Sequence, residues 1–116
     1  MQRDRQYLLD IVESARLARI YISSKSRDEF EMDTQCQDAV IRRLVVMGEA
    51  ARRLSDEAKA ELPGIPWQAI TGMQNFVIHE YDVVDTQVIW DTVKSDLPAV
   101  VAGLEPLVPP DRSDSL

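Results

Sequence analysis

The sequence predicts an all-α protein, an antiparallel up-and-down four-helix bundle with one short extra helix, and we expect it to be dimeric. Three observations predict this fold. Four segments carry apolar residues at intervals of three and four, the spacing of one helix face. The β-branched pairs, such as Val45-Val46, lie inside these helical patterns and give no separate strand signal. The connections between segments are mostly short, which favours antiparallel neighbours in a bundle.

The four helical segments follow one another along almost the whole chain. Their apolar stripes run through residues 8–22, 40–54, 70–77 and 90–104. Pro98 falls inside the fourth pattern, where its missing N–H predicts a kink or a break. Wide apolar stripes on such short helices exceed what one small core can bury, and dimerisation through a helix face is the ordinary solution.

The predicted helix ends have identifiable causes. Asp33 or Thr34 can cap the second helix, and Asp85 can cap the fourth. Ser55 can cap the short extra helix, which we expect to run to about Leu62. The sequence from Ser23 to Asp33 is polar and predicts a connection.

We expect one domain over residues 1–108. The tail, residues 109–116, has no apolar face and predicts disorder. Pro63-Gly64 stops the short helix, and Pro66 suits the first turn of the third helix. No linker long enough to separate two domains is visible in the sequence.

Composition and charge exclude several classes of protein. The chain of 116 residues has a net charge of −7, which argues against a general, tight DNA binder, so we expect no direct DNA partner. It contains no apolar run of membrane-spanning length and no signal-peptide pattern, so we expect a cytoplasmic protein with no membrane association. Cys36 is the one cysteine and is expected to fill space in the interior. Arg42 and Arg43 lie side by side in the second helix and are candidates for a local basic surface, although solvated helix faces are the simpler explanation for most of the arginines.

The polar residues with chemical potential are concentrated between residues 73 and 82. His79 is the only histidine, and its side chain alone titrates near neutrality without perturbation, which makes it a candidate general acid or base. Asn75 lies four residues earlier and shares a helix face with it. Tyr81 offers a phenol two positions further on. The alternative interpretation is structural: a hydrogen-bonded histidine near a helix end, and a boundary tyrosine that buries its ring.

The sequence carries no pattern for a metal or a cofactor. One histidine and no HExxH or CxxC spacing leave too few ligands for a metal, so we predict no metal site. No GxxxxGK(S/T) or GxGxxG loop is present, and we predict no cofactor.

A longer pattern resembles a known family. The run from Ile65 to Tyr81, followed by Val84-Asp85, is similar to the HepT group of HEPN domains. The resemblance extends upstream through residues 37–43 and 48–50, and downstream through residues 90–93 and 96–98. HepT proteins are the toxin halves of toxin–antitoxin pairs in which the partner is a minimal nucleotidyltransferase (MNT).

The resemblance implies a metal-independent endoribonuclease that acts as a homodimer on RNA and is neutralised by a nucleotidyltransferase antitoxin. The family signature is an arginine, four to six residues, and a histidine, usually with a tyrosine two positions beyond. By this match His79 is the acid/base, and Tyr81 matches the tyrosine that the partner adenylylates in some relatives. Asn75 is a further candidate for positioning phosphate or water, and Arg42 and Arg43 are weaker RNA-binding candidates.

One position departs from the signature. Four residues separate Gln74 from His79, so Gln74 occupies the place of the arginine. An amide lacks the fixed positive charge that stabilises a phosphoryl transition state, and removing a comparable stabilising group costs about 3 kcal/mol, or about a hundredfold in rate. The sequence therefore predicts an attenuated ribonuclease. The alternative is a non-catalytic HEPN dimer that binds a nucleotidyltransferase partner or a nucleotide, and the simplest alternative is a purely structural helical dimer.

Overall fold

The computed structural model describes residues 2–73 and 85–108. A π segment (Thr92–Asp96) joins the last two α-helices, and a 3-10 turn (Glu105–Leu107) ends the described chain. No strand occurs in either described range, which confirms the predicted all-α class. The predicted tail at residues 109–116 lies outside the described residues. The helices are α1 (Gln2–Ile22), α2 (Arg27–Glu31), α3 (Thr34–Arg53), α4 (Asp56–Glu61), α5 (Trp67–Gly72), α6 (Thr86–Asp91) and α7 (Leu97–Leu104).

The two longest helices, α1 and α3, pack against each other in antiparallel directions. At one end the Asp4 carboxylate accepts hydrogen bonds from Ser55, just beyond α3. At the other end the Cys36 thiol donates to the carbonyl of Tyr21 at 3.5 Å. Helix α7 lies along α1, and α5 lies along α3. A bundle of packed helices is therefore confirmed, while its dimeric state stays a prediction.

The core is formed by the apolar stripes that the sequence predicts. The side chains of Ile11 and Ala18 in α1, Leu44 in α3, and Leu97 and Leu104 in α7 are fully buried in one cluster. Each of these residues belongs to a three-and-four spacing in the sequence, so burial of one face follows directly from helix geometry. Burial of large aliphatic side chains stabilises the fold by about 1.5–3 kcal/mol each.

The capping residues predicted for three helices occupy those positions. The Asp33 carboxylate accepts a hydrogen bond from the Cys36 backbone N–H at 3.0 Å and begins α3. Ser55 begins α4, and Asp85 begins α6 by accepting from the N–H of Gln87 at 3.0 Å. Side-chain oxygens here satisfy amide groups that have no partner inside the helix.

The predicted connection from Ser23 to Asp33 is wrong in part, because it contains α2. Ser26 and Glu29 form a reciprocal capping box: the Glu29 N–H donates to Ser26 Oγ at 3.1 Å, and the Ser26 N–H donates to Glu29 Oε1 at 2.9 Å. Phe30 of α2 is fully buried, and its ring centroid lies 5.5 Å from that of Trp90. A Ser-x-x-Glu pattern is a helix-start signal, so this helix was visible in the sequence.

Pro98 interrupts the fourth helical pattern, as predicted. It occupies the first turn of α7, where its missing N–H has no cost. The residues before it form the π segment, in which the Leu97 N–H donates to the Thr92 carbonyl, five residues back. A proline ring clashes with the carbonyl four residues earlier, here that of Lys94, and widening the helix relieves that clash.

The structure describes only the first part of the predicted third helix. Pro66 is the N-cap residue of α5, one position before the predicted first turn. The rest of the predicted third helix, beyond Met73, lies outside the described residues. Within the described ranges, none of the helices combines the length and apolarity that crossing a membrane requires.

Candidate functional site

The residues of the predicted catalytic cluster lie outside the described part of the chain. Gln74, Asn75, His79 and Tyr81 all fall within residues 74–84. The structure does describe the two elements that carry this segment, α5 before it and α6 after it.

The α5 side of the segment is anchored in the core. Ile70 is fully buried and Met73 is 4% exposed, so the last described residue before the segment is held in the interior. The Trp67 indole N–H donates to the carbonyls of Lys59 at 3.2 Å and Leu62 at 3.0 Å. Each carbonyl also accepts a backbone N–H, from Leu62 and Ile65 respectively, so the indole adds a second hydrogen bond to each carbonyl after α4. Trp67 thereby fixes the turn between α4 and α5.

The α6 side is anchored at its first residue. The Asp85 carboxylate caps α6, and Ile89 one turn later is fully buried. Trp90 packs on Phe30, and the Lys94 ammonium lies 5.1 Å from the Trp90 ring centroid, within the range of a cation–π contact. The segment from residue 74 to 84 therefore runs between two elements with fixed positions.

The two arginines predicted to bind RNA are accessible to different degrees. Arg42 is exposed and Arg43 is half-buried on the surface of α3. Among the described residues neither forms an ion pair. Both side chains reach the surface of α3, where a basic surface would need them.

A second group of cations lies in a cleft of about 640 Å³ between α1 and the π segment with α7. Arg16, Arg19 and Lys94 line it together with Glu105, which pairs with Arg16 at 3.2 Å. The spacing of Arg16 and Arg19 places them on one helix face, but no sequence pattern connects them to Lys94, which lies far along the chain. We refer to this feature as the α1–α7 cleft.

Within the described ranges, no group of three or more histidine, cysteine, aspartate or glutamate residues converges to hold a metal ion. The Cys36 thiol is buried, as expected for a residue that fills space. Burial and the neighbouring Asp33 carboxylate raise the pKa of this thiol, which disfavours the reactive thiolate.

Comparison with known proteins gives a consistent assignment. Residues 11–107 match the family model described as HepT-like, ribonuclease HepT-like. A probable ribonuclease HepT of Thermococcus cleftensis is 36% identical over 103 residues, covering 89% of this chain and 94% of the relative. A protein of Methanocaldococcus jannaschii assigned as an RNase is 32% identical over 99 residues, covering 85% and 91%. Another assigned RNase, from Caldanaerobacter subterraneus, is 31% identical over 98 residues, covering 84% and 88%. No solved structure matches significantly.

Proposed function

Because the chain belongs to the HepT-like ribonuclease family, we propose that it is a metal-independent endoribonuclease toxin of a HEPN/MNT toxin–antitoxin system, acting on RNA in the cytoplasm. The single observation that carries the proposal is the family match over residues 11–107, which includes the chain's only histidine. The relatives named above are ribonucleases by name, and the histidine supplies a group that can move protons at neutral pH.

His79 is assigned the proton transfers of RNA cleavage. The RNA 2′-hydroxyl attacks the adjacent phosphorus and loses its proton, while the bond from phosphorus to the 5′-oxygen breaks and that oxygen gains a proton. The nucleophile belongs to the substrate, so this route needs no metal-bound water. One imidazole cannot accept the first proton and donate the second in the same step. A homodimer with two copies of His79 at one cleft resolves this, with Asn75 positioning the phosphate or a water by hydrogen bonds.

Gln74 sets the expected level of activity. At the position of the signature arginine it can donate a hydrogen bond to a phosphate oxygen but supplies no charge. We therefore propose that this chain retains the family reaction at a rate reduced by about a hundredfold or more relative to an arginine form.

The antitoxin partner is proposed to be a nucleotidyltransferase that attaches AMP to Tyr81. The phenol lies two residues from His79 in the sequence. A bound AMP would add bulk and negative charge beside the RNA phosphate, which opposes substrate binding through like-charge repulsion.

The test is RNA cleavage in EDTA by three purified proteins: the chain itself, Gln74→Arg, and Gln74→Arg combined with His79→Ala. Gln68→Arg is the matched control, because Gln68 is exposed on α5 and gains the same charge outside the signature. We expect Gln74→Arg to cleave about a hundredfold faster than the chain itself, and His79→Ala to abolish cleavage. If no form cleaves RNA, or if Gln68→Arg accelerates cleavage equally, the assignment of these roles is wrong.

A second candidate function is favoured by one observation, the glutamine at position 74. In this alternative the protein is a non-catalytic HEPN dimer that binds the nucleotidyltransferase partner or a nucleotide. It predicts that Gln74→Arg confers no cleavage while the purified chain still binds the partner.

Light scattering of the purified chain at tens of micromolar tests the homodimer that both candidate functions require. A monomer at that concentration would contradict the homodimer.

A further inference from the structure

The α1–α7 cleft gathers positive charge on an acidic protein. The chain carries a net charge of −7, yet three cations and one carboxylate line this cleft, which leaves two positive charges. Arg16 and Arg19 come from α1, and Lys94 comes from the π segment on the opposite wall. Positive side chains gathered in a concave surface focus their field and attract anions locally.

The three cations differ in how they are held. The Arg16 side chain is 14% exposed, and its guanidinium binds Glu105 through two nitrogens, each 3.2 Å from the carboxylate oxygen. Arg19 and Lys94 are exposed, and neither forms an ion pair within the described residues. Arg16 is thus a fixed part of the wall. Arg19 and Lys94 are exposed to solvent at the cleft, and the Lys94 ammonium also lies over the Trp90 ring.

The floor of the cleft is apolar. Ile22 and Val93 are almost fully buried beneath it, and Val101 is 6% exposed. Ile20, which also lines the cleft, is 56% exposed on its rim. Cations around an apolar floor match a ligand that combines anionic groups with flat, weakly polar ones. Single-stranded RNA has this chemistry, with phosphates on its backbone and bases that present apolar faces.

The π segment contributes directly to this geometry. Val93 and Lys94 belong to it, and Pro98, whose ring widens the helix, lines the cleft as well. Local π-helical turns recur at functional sites because they displace side chains from the regular helical positions. The same helical run begins at Thr86, directly after the segment that contains His79, and Lys94 lies about 12 Å further along it.

We propose that the α1–α7 cleft binds the single-stranded RNA substrate outside the cleavage site, with Arg19 and Lys94 contacting phosphates and the exposed Ile20 side chain at the rim contacting a base. This inference rests on the proposed ribonuclease function. The net charge makes a local basic surface necessary. An acidic chain repels RNA at long range, so productive binding needs cations gathered in one place.

The experiment measures binding of a short, fluorescein-labelled single-stranded RNA of mixed sequence by fluorescence anisotropy. All proteins carry His79→Ala, so that the RNA stays intact, and circular dichroism verifies that each is helical. Arg19→Gln with Lys94→Gln removes the two exposed cations. Arg5→Gln with Lys59→Gln is the control, because it removes the same charge from residues that do not line the cleft.

We expect the cleft variant to bind RNA about tenfold more weakly, while the control binds as before. For the cleft variant, the slope of the logarithm of the binding constant against the logarithm of salt concentration should be shallower by about 0.7 for each phosphate that the protein no longer neutralises. If both variants bind RNA equally weakly, the loss of affinity comes from the change in net charge and not from the cleft, and the inference is overturned. Unchanged RNA binding in the cleft variant would also overturn it.

Cleavage assays keep the two proposals separate. If Gln74→Arg cleaves RNA and the cleft substitutions change neither binding nor cleavage, the ribonuclease function stands and the cleft inference fails. If RNA binds through the cleft but no form cleaves it, the cleft inference stands and the ribonuclease function fails.

Discussion

The Asp4 carboxylate accepts two hydrogen bonds from Ser55, 51 residues further along the chain. One comes from the Ser55 backbone N–H at 3.0 Å and the other from its hydroxyl at 2.7 Å. The same hydroxyl oxygen accepts from the Ala58 N–H at 3.1 Å, so Ser55 caps α4 while it binds the first turn of α1. This pair connects the start of α1 to the junction between α3 and α4.

The Asp4–Ser55 contact predicts a dependence of stability on pH. Hydrogen bonds from the Ser55 backbone and then from its hydroxyl lower the pKa of Asp4 below its ordinary 3.8. The contact is therefore at full strength above about that pH and weakens as the pH falls towards the lowered value. Urea unfolding should show Asp4→Asn less stable than the parent at pH 6, with the difference shrinking below pH 4. A constant difference across that range would contradict the prediction.

Ser55→Ala tests the cap itself. It removes the hydroxyl that serves both Ala58 and Asp4, and removal of a serine cap costs about 0.5–2 kcal/mol. Thermal unfolding of Ser55→Ala, Asp4→Asn and the double variant gives the coupling between the two positions. We expect the double variant to be less destabilised than the two single effects added together, because either change removes the hydroxyl–carboxylate hydrogen bond. Simple additivity would show that the two residues act independently.

The contact of Phe30 with Trp90 predicts that the short helix α2 matters for stability. Phe30 is fully buried, so Phe30→Ala should cost about 3–5 kcal/mol and Phe30→Leu about 1 kcal/mol or slightly more. Met32, two residues later, is 87% exposed, and Met32→Ala should change the free energy of unfolding by less than about 0.5 kcal/mol. Urea titrations measure all three. A comparable destabilisation by Met32→Ala would show that this face is covered in solution.

Cys36 should react slowly with alkylating reagents. Burial, reinforced by the Asp33 carboxylate, raises the pKa of its thiol, so little thiolate forms near neutral pH. Iodoacetamide labelling at pH 7.5, followed by mass spectrometry, should be much slower for the native protein than for the same protein in urea. Equal rates would indicate an accessible thiol.

We expect Arg42 and Arg43 to contribute to RNA affinity separately from the α1–α7 cleft. Changing both to glutamine in the His79→Ala background should weaken RNA binding. The slope of the logarithm of the binding constant against the logarithm of salt concentration should become shallower by about 0.7 for each phosphate that these arginines neutralise. Arg52→Gln with Arg53→Gln is the matched control, because both residues are exposed at the end of the same helix. If the control weakens binding as much, the effect belongs to the charge of α3 and not to these two residues.

Adenylylation of Tyr81 is tested by mass spectrometry after incubation with a purified nucleotidyltransferase antitoxin of this family, ATP and Mg²⁺. We expect one added AMP on the chain and none on Tyr81→Phe. Tyr7→Phe serves as the control that retains the proposed target. An unmodified Tyr81, or equal modification of Tyr81→Phe, would remove this form of regulation.

Local features of the fold could be predicted because their causes lie close together in the sequence. The caps Asp33, Ser55 and Asp85 bind amides two or three residues ahead, and Pro98 acts on the carbonyl four residues behind it. The short helix α2 was not predicted, although it had its own signal in Ser26 and Glu29. The polarity of the surrounding stretch concealed that signal.

The sequence by itself determined the helical class, the residues that cap α3, α4 and α6, and the family, and it carries glutamine at position 74, where the family signature has arginine. The tertiary structure alone decided that Phe30 meets Trp90, that Asp4 meets Ser55, and that Arg16 and Glu105, 89 residues apart, close one side of a cationic cleft. The physical reason is how far apart in the sequence the interacting residues lie. Caps and helix faces depend on neighbours within one or two turns, whereas these contacts depend on how whole helices align when their apolar faces are buried together.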